Sequence, residues 1–273
     1  MGGLRSEPFS GREFRARPGS HGEEGGRAMR LADEIEWRPS PNYNARVVPE
    51  GQRPIRQIIL HYTGMEDGQA AEDWLCNPES GVSSHYIVHE DGRIVQMVEE
   101  LDRAWHAGAS RWRGQSDINS SSIGIEIQNP GHEWGYRPFP DVQMRQVIRL
   151  VATLSVRHRI DRADVIGHAD IAPARKQDPG ELFDWPRLAQ HRIALARPDK
   201  LLTDPGWPDG AFGLALERFG YDIADLPAAT RAFQQRFRQG LVDGIVDGET
   251  RAILFTLQVL EEQRLQAVSE DGF

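Results

Sequence analysis

The sequence predicts an α/β domain followed by a small all-helical one, and three observations carry that expectation. Residues 55–62 form an unbroken β-branched and apolar run, as in a strand buried on both faces. Residues 141–157 set Met144, Val147, Ile148, Val151 and Leu154 at helical spacing, which marks a long amphipathic helix. Beyond residue 210 come three helical candidates, at 211–219, 228–238 and 248–258.

Taken in order, residues 1–36 are poor in apolar side chains and read as a flexible leader. Folding is expected to begin near Trp37, through the turn-rich residues 38–44. The strand at 55–62 carries His61 near its C-terminal end, where open sheets place binding groups. Residues 69–75 suit a short helix burying Ala71, Trp74 and Leu75, stopped at Asn77-Pro78. Residues 85–89 and 94–98 flank Glu90-Asp91-Gly92-Arg93, a hairpin signal. At 122–128 a strand alternates, with Ile123, Ile125 and Ile127 on one face and Gly124, Glu126 and Gln128 on the other. Residues 164–167 are short and apolar and lead into His168. The α/β domain is thus expected over 37–196, a Pro/Gly/Asp-rich linker over 197–209, and a helical domain over 210–265 of about the minimum size that folds alone.

The chain has 273 residues, 39% hydrophobic and 27% charged, enough for a sizeable core. A net charge of −9 argues against a broad nucleic-acid surface. No apolar run reaches the ~20 residues of a membrane span. Residues 1–30 lack the apolar core of a secretory signal, so the expected location is cytoplasmic, with the periplasm or cell wall as the alternative. Cys76 is the single cysteine, which excludes an internal disulfide and a cysteine-rich zinc module. A zinc ion here must rest on histidine and carboxylate.

Three sparse motifs supply such groups: Ile58-Ile59-Leu60-His61-Tyr62-Thr63, Gly167-His168-Ala169-Asp170-Ile171-Ala172-Pro173 and Arg175-Lys176-Gln177-Asp178-Pro179-Gly180. Two imidazoles and a carboxylate make the three-ligand set of a catalytic zinc with one open position. Each has an ordinary reading too: His61 as a strand-end histidine, Asp178 as a turn aspartate, Lys176 as a surface lysine. Glu126 lies mid-strand among isoleucines, where a carboxylate is costly without a partner, and it reads equally as the solvated face of that strand. Beside a metal it would be the general base of a hydrolysis. Asp170 suits a loop tie to backbone better than ligation, and His85 and His89 read as structural. Trp105-His106-Ala107-Gly108 suits a sugar or peptide face, or a buried loop anchor.

In order and spacing, Leu60-His61-Tyr62-Thr63, Ser84-His85-Tyr86, Trp105-His106-Ala107-Gly108, Ser122-Ile123-Gly124-Ile125-Glu126, Gly167-His168-x-Asp170-Ile171-Ala172-Pro173 and Lys176-x-Asp178-Pro179-Gly180 resemble the zinc-dependent N-acetylmuramoyl-L-alanine amidases of the peptidoglycan-recognition-protein-like type. That resemblance implies a mixed central β-sheet flanked by helices and one zinc ion held by His61, His168 and Asp178. It implies Glu126 as base, Lys176 as partner of the transition-state charge, and Tyr62, Trp105, His106, Ala107 and Asn129 as substrate-binding residues. The expected reaction is hydrolysis of the amide between N-acetylmuramic acid, or its anhydro form, and L-alanine of the stem peptide. The expected partners are peptidoglycan fragments or the sacculus.

The C-terminal pattern, from Thr230-Arg231-Ala232-Phe233-Gln234-Gln235-Arg236-Phe237 through Gly240-Leu241-Val242-Asp243-Gly244-Ile245-Val246 to Glu249-Thr250, resembles the three-helix peptidoglycan-binding domain. It departs in having Asp247 where glycine is usual, and a purely structural helical cap is the alternative. Two other functions compete with the amidase: muropeptide capture without cleavage, and a glycosidase using Glu126 and Asp178 as paired carboxylates.

Overall fold

The computed structural model describes residue 31 and residues 34–270; the leader expected over residues 1–36 lies mostly outside them. Six strands form a mixed sheet in the order β1 (Ile35–Trp37), β5 (Ile94–Gln96), β4 (Tyr86–Val88), β7 (Ser122–Ile127), β3 (Gln57–Tyr62) and β8 (Val165–Gly167). The hairpin signal becomes the antiparallel pair β4–β5, with Val88 opposite Ile94. All other neighbours in this sheet are parallel. A separate antiparallel pair joins β2 (Tyr43–Ala45) to β6 (Asp102–Ala104).

Side-chain alternation assigns the two faces of the sheet. Ile58 and Leu60 of β3 and Ile123, Ile125 and Ile127 of β7 share a core with Met144, Val147, Ile148, Val151 and Leu154 of α3 (Asp141–His158). The opposite face divides into two smaller cores. One packs Ile87, Val95 and Met97 on Ala71 and Leu75 of α1 (Gly68–Leu75), a helix capped by the Asp67 carboxylate, which accepts from the Gln69 N–H. The other contains Ile59 and Ile166. His61 and Glu126, register partners across β3 and β7, lie on this second face.

Ile35 and Glu36, assigned from sequence to the leader, instead belong to β1, paired with Ile94 and Val95. Strand pairing uses backbone groups that every residue carries, so Glu36 needs no apolar neighbours to join an edge. Ile35 packs against the α3-side core.

Three short helices serve as connections: α2 (Ile118–Ser121), α4 (His168–Ile171) and α5 (Trp185–Gln190). The C-terminal helices are α6 (Asp209–Phe219), α7 (Leu226–Phe237) and α8 (Gly248–Glu270). They do not form a core of their own: Phe212, Leu216, Tyr221, Phe233 and Phe237 share one with Ile59, Trp112, Ile166 and Ile171 of the α/β part. The segment between α5 and α6 is fastened to α8, through Arg251–Asp204 at 2.7 Å and Trp207 edge-on to Phe255 at 5.5 Å. Within the helical part, the buried Gln234 amide closes the loop before α8. Its oxygen accepts from the Asp243 and Gly244 N–H groups, and its nitrogen donates to the Ile245 carbonyl. Gly244 sits at φ +77°, and a Cβ there would meet Arg231 Cγ at 2.9 Å, so this turn requires glycine. Asp247, the departure from the usual glycine, caps α8 by accepting from the Thr250 N–H and pairs with Arg238.

Candidate active site

The sheet brings the three motifs together at the C-terminal ends of neighbouring parallel strands. His61 is the penultimate residue of β3, and Gly167 at the end of β8 pairs with Leu60, so His168 emerges beside His61. Asp178 returns on the loop after α4, where its carbonyl accepts from the Ala169 N–H at 2.8 Å. The result is a tight triangle. His61 Nδ1 lies 2.9 Å from His168 Nδ1, and each is 3.0 Å from Asp178 Oδ2. All three side chains are buried.

Donors 2.0–2.1 Å from a tetrahedral zinc stand about 3.3 Å apart, so this triangle needs only a slight expansion to hold one. Its protonation suits the same group. Burial, reinforced by the neighbouring His168, pushes the His61 imidazole down to about 4, so it is neutral at pH 7. Burial alone would raise Asp178, but the adjacent His168 and His61 rings hold its carboxyl well below the usual carboxylate range. A neutral imidazole at His61 and an ionised carboxylate at Asp178 are donors that a divalent cation binds without first displacing protons.

The outer ring nitrogens fix which lone pairs face inward. His168 Nε2 donates to the Ala107 carbonyl at 3.1 Å, which turns Nδ1 toward the triangle. His61 Nε2 donates to His106 Nδ1 at 3.1 Å, His106 Nε2 to Ser122 Oγ at 3.2 Å, and Ser122 Oγ to the Ile118 carbonyl at 2.7 Å. This relay runs in one direction and ends on backbone, so it holds His61 as the Nδ1 donor. His106 fits only because residue 124 is glycine, where a Cβ would stand 2.4 Å from His106 Cγ. Asn119 Oδ1 accepts from the His106 and Ala107 N–H groups and fixes that loop.

Glu126 and Lys176 line the same cleft, of about 420 Å³, as the triangle. Glu126 Oε2 is buried with no hydrogen-bond partner among the described residues. Burial, with the Asp178 carboxylate adding to it, pushes the Glu126 carboxyl well above its ordinary value, and the Lys176 ammonium draws it partly back. Lys176 forms no ion pair within 4.0 Å among the described residues, so its charge faces the cleft uncommitted.

Of the expected substrate-binding residues, Tyr62 and Trp105 line the cleft. The Tyr62 hydroxyl lies 3.0 Å from His132 Nδ1, and Trp105 Nε1 donates to Asn44 Oδ1. The other three are placed differently. Asn129 is fully buried, its amide donating to the Arg137 carbonyl and accepting from the Gly131 N–H, so it shapes a loop. Ala107 is also fully buried, and its carbonyl is occupied by His168 and by Arg175, whose guanidinium lies 2.8 Å away. His106 borders the cleft, but both its ring nitrogens belong to the relay. Sequence reasoning gave no role to Ser122, Asn119 or Arg175. Ser122 and Arg175 each stood in a quoted motif, the one opening Ser122-Ile123-Gly124-Ile125-Glu126 and the other directly before Lys176, whereas Asn119 had no such signal.

Comparison with known proteins agrees with this geometry. The family model described as N-acetylmuramoyl-L-alanine amidase matches residues 51–181. The N-acetylmuramoyl-L-alanine amidase AmiD of Escherichia coli is 38% identical over 226 residues, 73% of this chain and 80% of AmiD. The 1,6-anhydro-N-acetylmuramyl-L-alanine amidase AmpD of Enterobacter cloacae is 31% identical, over 60% of this chain and 92% of AmpD. Among solved structures, AmiD from E. coli in complex with the substrate anhydro-N-acetylmuramic acid-L-Ala-D-gamma-Glu-L-Lys superposes with a TM-score of 0.69 at 33% identity, covering 78% of this chain and 91% of AmiD. AmpDh3 from Pseudomonas aeruginosa gives a TM-score of 0.69 at 31% identity, covering 78% and 94%. The fold and the buried His-His-Asp centre define an amidase of the peptidoglycan-recognition type. The chain belongs to the N-acetylmuramoyl-L-alanine amidase family and is a hydrolase of that class. That places it with the enzymes and apart from both capture without cleavage and the glycosidase alternative. No helix among the described residues is long and apolar enough to cross a membrane.

Proposed function

We propose that this chain uses one zinc ion, held by His61, His168 and Asp178, to hydrolyse the amide joining the lactyl group of anhydro-N-acetylmuramic acid to L-alanine in soluble muropeptides. The observation that carries this reading is the closed triangle of His61, His168 and Asp178 in the same cleft as the buried, unpartnered Glu126 Oε2. A zinc ion held there would supply Lewis acidity for the scissile carbonyl and for a bound water. Glu126 takes the proton from the attacking water and delivers it to the alanine nitrogen as the C–N bond breaks. Lys176 sets a positive charge where the carbonyl oxygen turns negative. Tyr62 and Trp105 offer flat surfaces on the cleft wall for the sugar and the first residues of the stem.

The test is mass spectrometry of products from anhydro-N-acetylmuramic acid-L-Ala-D-γ-Glu-L-Lys in heavy-oxygen water. The expected products are free anhydro-N-acetylmuramic acid, labelled in its lactyl carboxylate, and an unlabelled tripeptide with a free alanine amine. Label in the peptide, or a cut between its residues, would overturn the proposal.

A further inference from the structure

The mechanism above leaves one buried ion pair unused, and it joins the C-terminal helices to the metal-binding turn. Asp170 lies two residues after His168 in α4. Its Oδ2 accepts from the Gly167 N–H at 2.8 Å and from Arg236 NH1 at 3.1 Å, while Oδ1 accepts from the Tyr221 hydroxyl. Both charged side chains are almost fully buried, at 3% and 2% exposure. Arg236 also donates to the carbonyls of Val165 on β8, at 3.0 Å, and Leu195. Its guanidinium lies over the rings of Trp185, at 4.3 Å, and Phe237, at 4.8 Å. Three residues on, Gln239 donates to the Glu181 and Phe183 carbonyls, just past Asp178. The end of α7 and the residues just after it therefore grip two of the three segments that deliver ligands to the triangle, those of His168 and Asp178.

We propose that Arg236 and Tyr221 are positioning residues that hold the turn from Gly167 to Ile171, and with it His168, in the geometry that binds the metal. The C-terminal helices thus complete the catalytic centre. This rests on the reading of His168 as a zinc ligand. A pair this well satisfied fixes direction as well as distance: the carboxylate meets donors from three separate segments, and the guanidinium fork matches only one orientation. Arg236 reaches the imidazole through Asp170 and the backbone of α4, so its removal loosens the aim of a ligand without removing it.

The experiment measures zinc affinity of the metal-free full chain by chelator competition, with hydrogen exchange of the amides at 167–171 read in parallel. Wild type is compared with Arg236→Met, Tyr221→Phe and Phe233→Leu, all well below their unfolding temperatures. Arg236→Met is expected to weaken zinc binding about tenfold, the low end of effects from groups behind metal ligands, and Tyr221→Phe about threefold. Both should speed exchange at 167–171. Phe233→Leu, which thins the shared core without touching Asp170, should leave affinity within twofold of wild type. Unchanged affinity and exchange in Tyr221→Phe and in folded Arg236→Met would overturn the proposal. So would an equal loss in Phe233→Leu, which would mark the effect as one of stability alone. Should Arg236→Met fail to fold, Arg236→Lys keeps the charge, loses the fork and is expected to lie between wild type and Tyr221→Phe; wild-type affinity there would count against the role. A wild-type chain that bound no zinc would instead remove the metal reading beneath it.

Discussion

Glu126→Gln is expected to lower turnover of an anhydro-muropeptide by about 10²–10⁴-fold, the range for a lost general acid–base group, with zinc affinity and KM nearly unchanged. Glutamine has the shape of glutamate but cannot take a proton from water or return one to a leaving amine. Because Glu126 Oε2 has no hydrogen-bond partner among the described residues, the substitution breaks none of their hydrogen bonds there. Burial and the Asp178 charge already disfavour ionised Glu126, so a neutral amide relieves a cost and the unfolding temperature should hold or rise. Steady-state kinetics beside thermal unfolding read both effects. Turnover within tenfold of wild type would remove Glu126 from the chemistry, and an equal drop in zinc content would make it a ligand instead.

Asp178→Asn is expected to act through the opposite channel. Asp178 is the one carboxylate in the triangle, and without it two neutral imidazoles face a dication unaided. Removing groups behind a ligand weakens metal binding 10–100-fold, so losing the ligand's charge should cost more than about a hundredfold, or roughly 2.8 kcal/mol. Activity should vanish at zinc levels that saturate wild type and recover partly as zinc is raised. Glu126→Gln should show no such recovery. Competitive titration against a chelating dye measures the shift, and wild-type affinity in Asp178→Asn would strike it from the ligand set.

The legible part of this molecule is what repeats along the chain or sits in a local motif. Residues 55–62 announced a strand buried on both faces by their unbroken apolar run, the three isoleucines of β7 their face by alternation, and α3 its buried stripe by spacing. The ligand motifs were visible because each places a metal-capable side chain just after an apolar run or inside a Pro/Gly-punctuated loop. What lay hidden depends on register and approach between distant segments. The relay from His61 through His106 to Ser122 exists only because β7 pairs with β3 as it does and because residue 124 leaves room for a ring. Asn129 and Ala107, named through the resemblance, are both fully buried, with the Asn129 amide donating to the Arg137 carbonyl and the Ala107 carbonyl bonded to His168, contacts that no local pattern shows. Arg236 was least legible. An arginine on a helix is ordinarily solvated, and nothing in its neighbours announces a buried carboxylate 66 positions away.

The most direct measurement of the central claim is a crystal structure of the zinc-loaded chain with anomalous data collected on both sides of the zinc absorption edge. The expected result is a single anomalous peak bounded by His61 Nδ1, His168 Nδ1 and Asp178 Oδ2, with Glu126 facing it across the cleft. A peak held by other side chains, or none at that position in zinc-saturated active protein, would contradict the account.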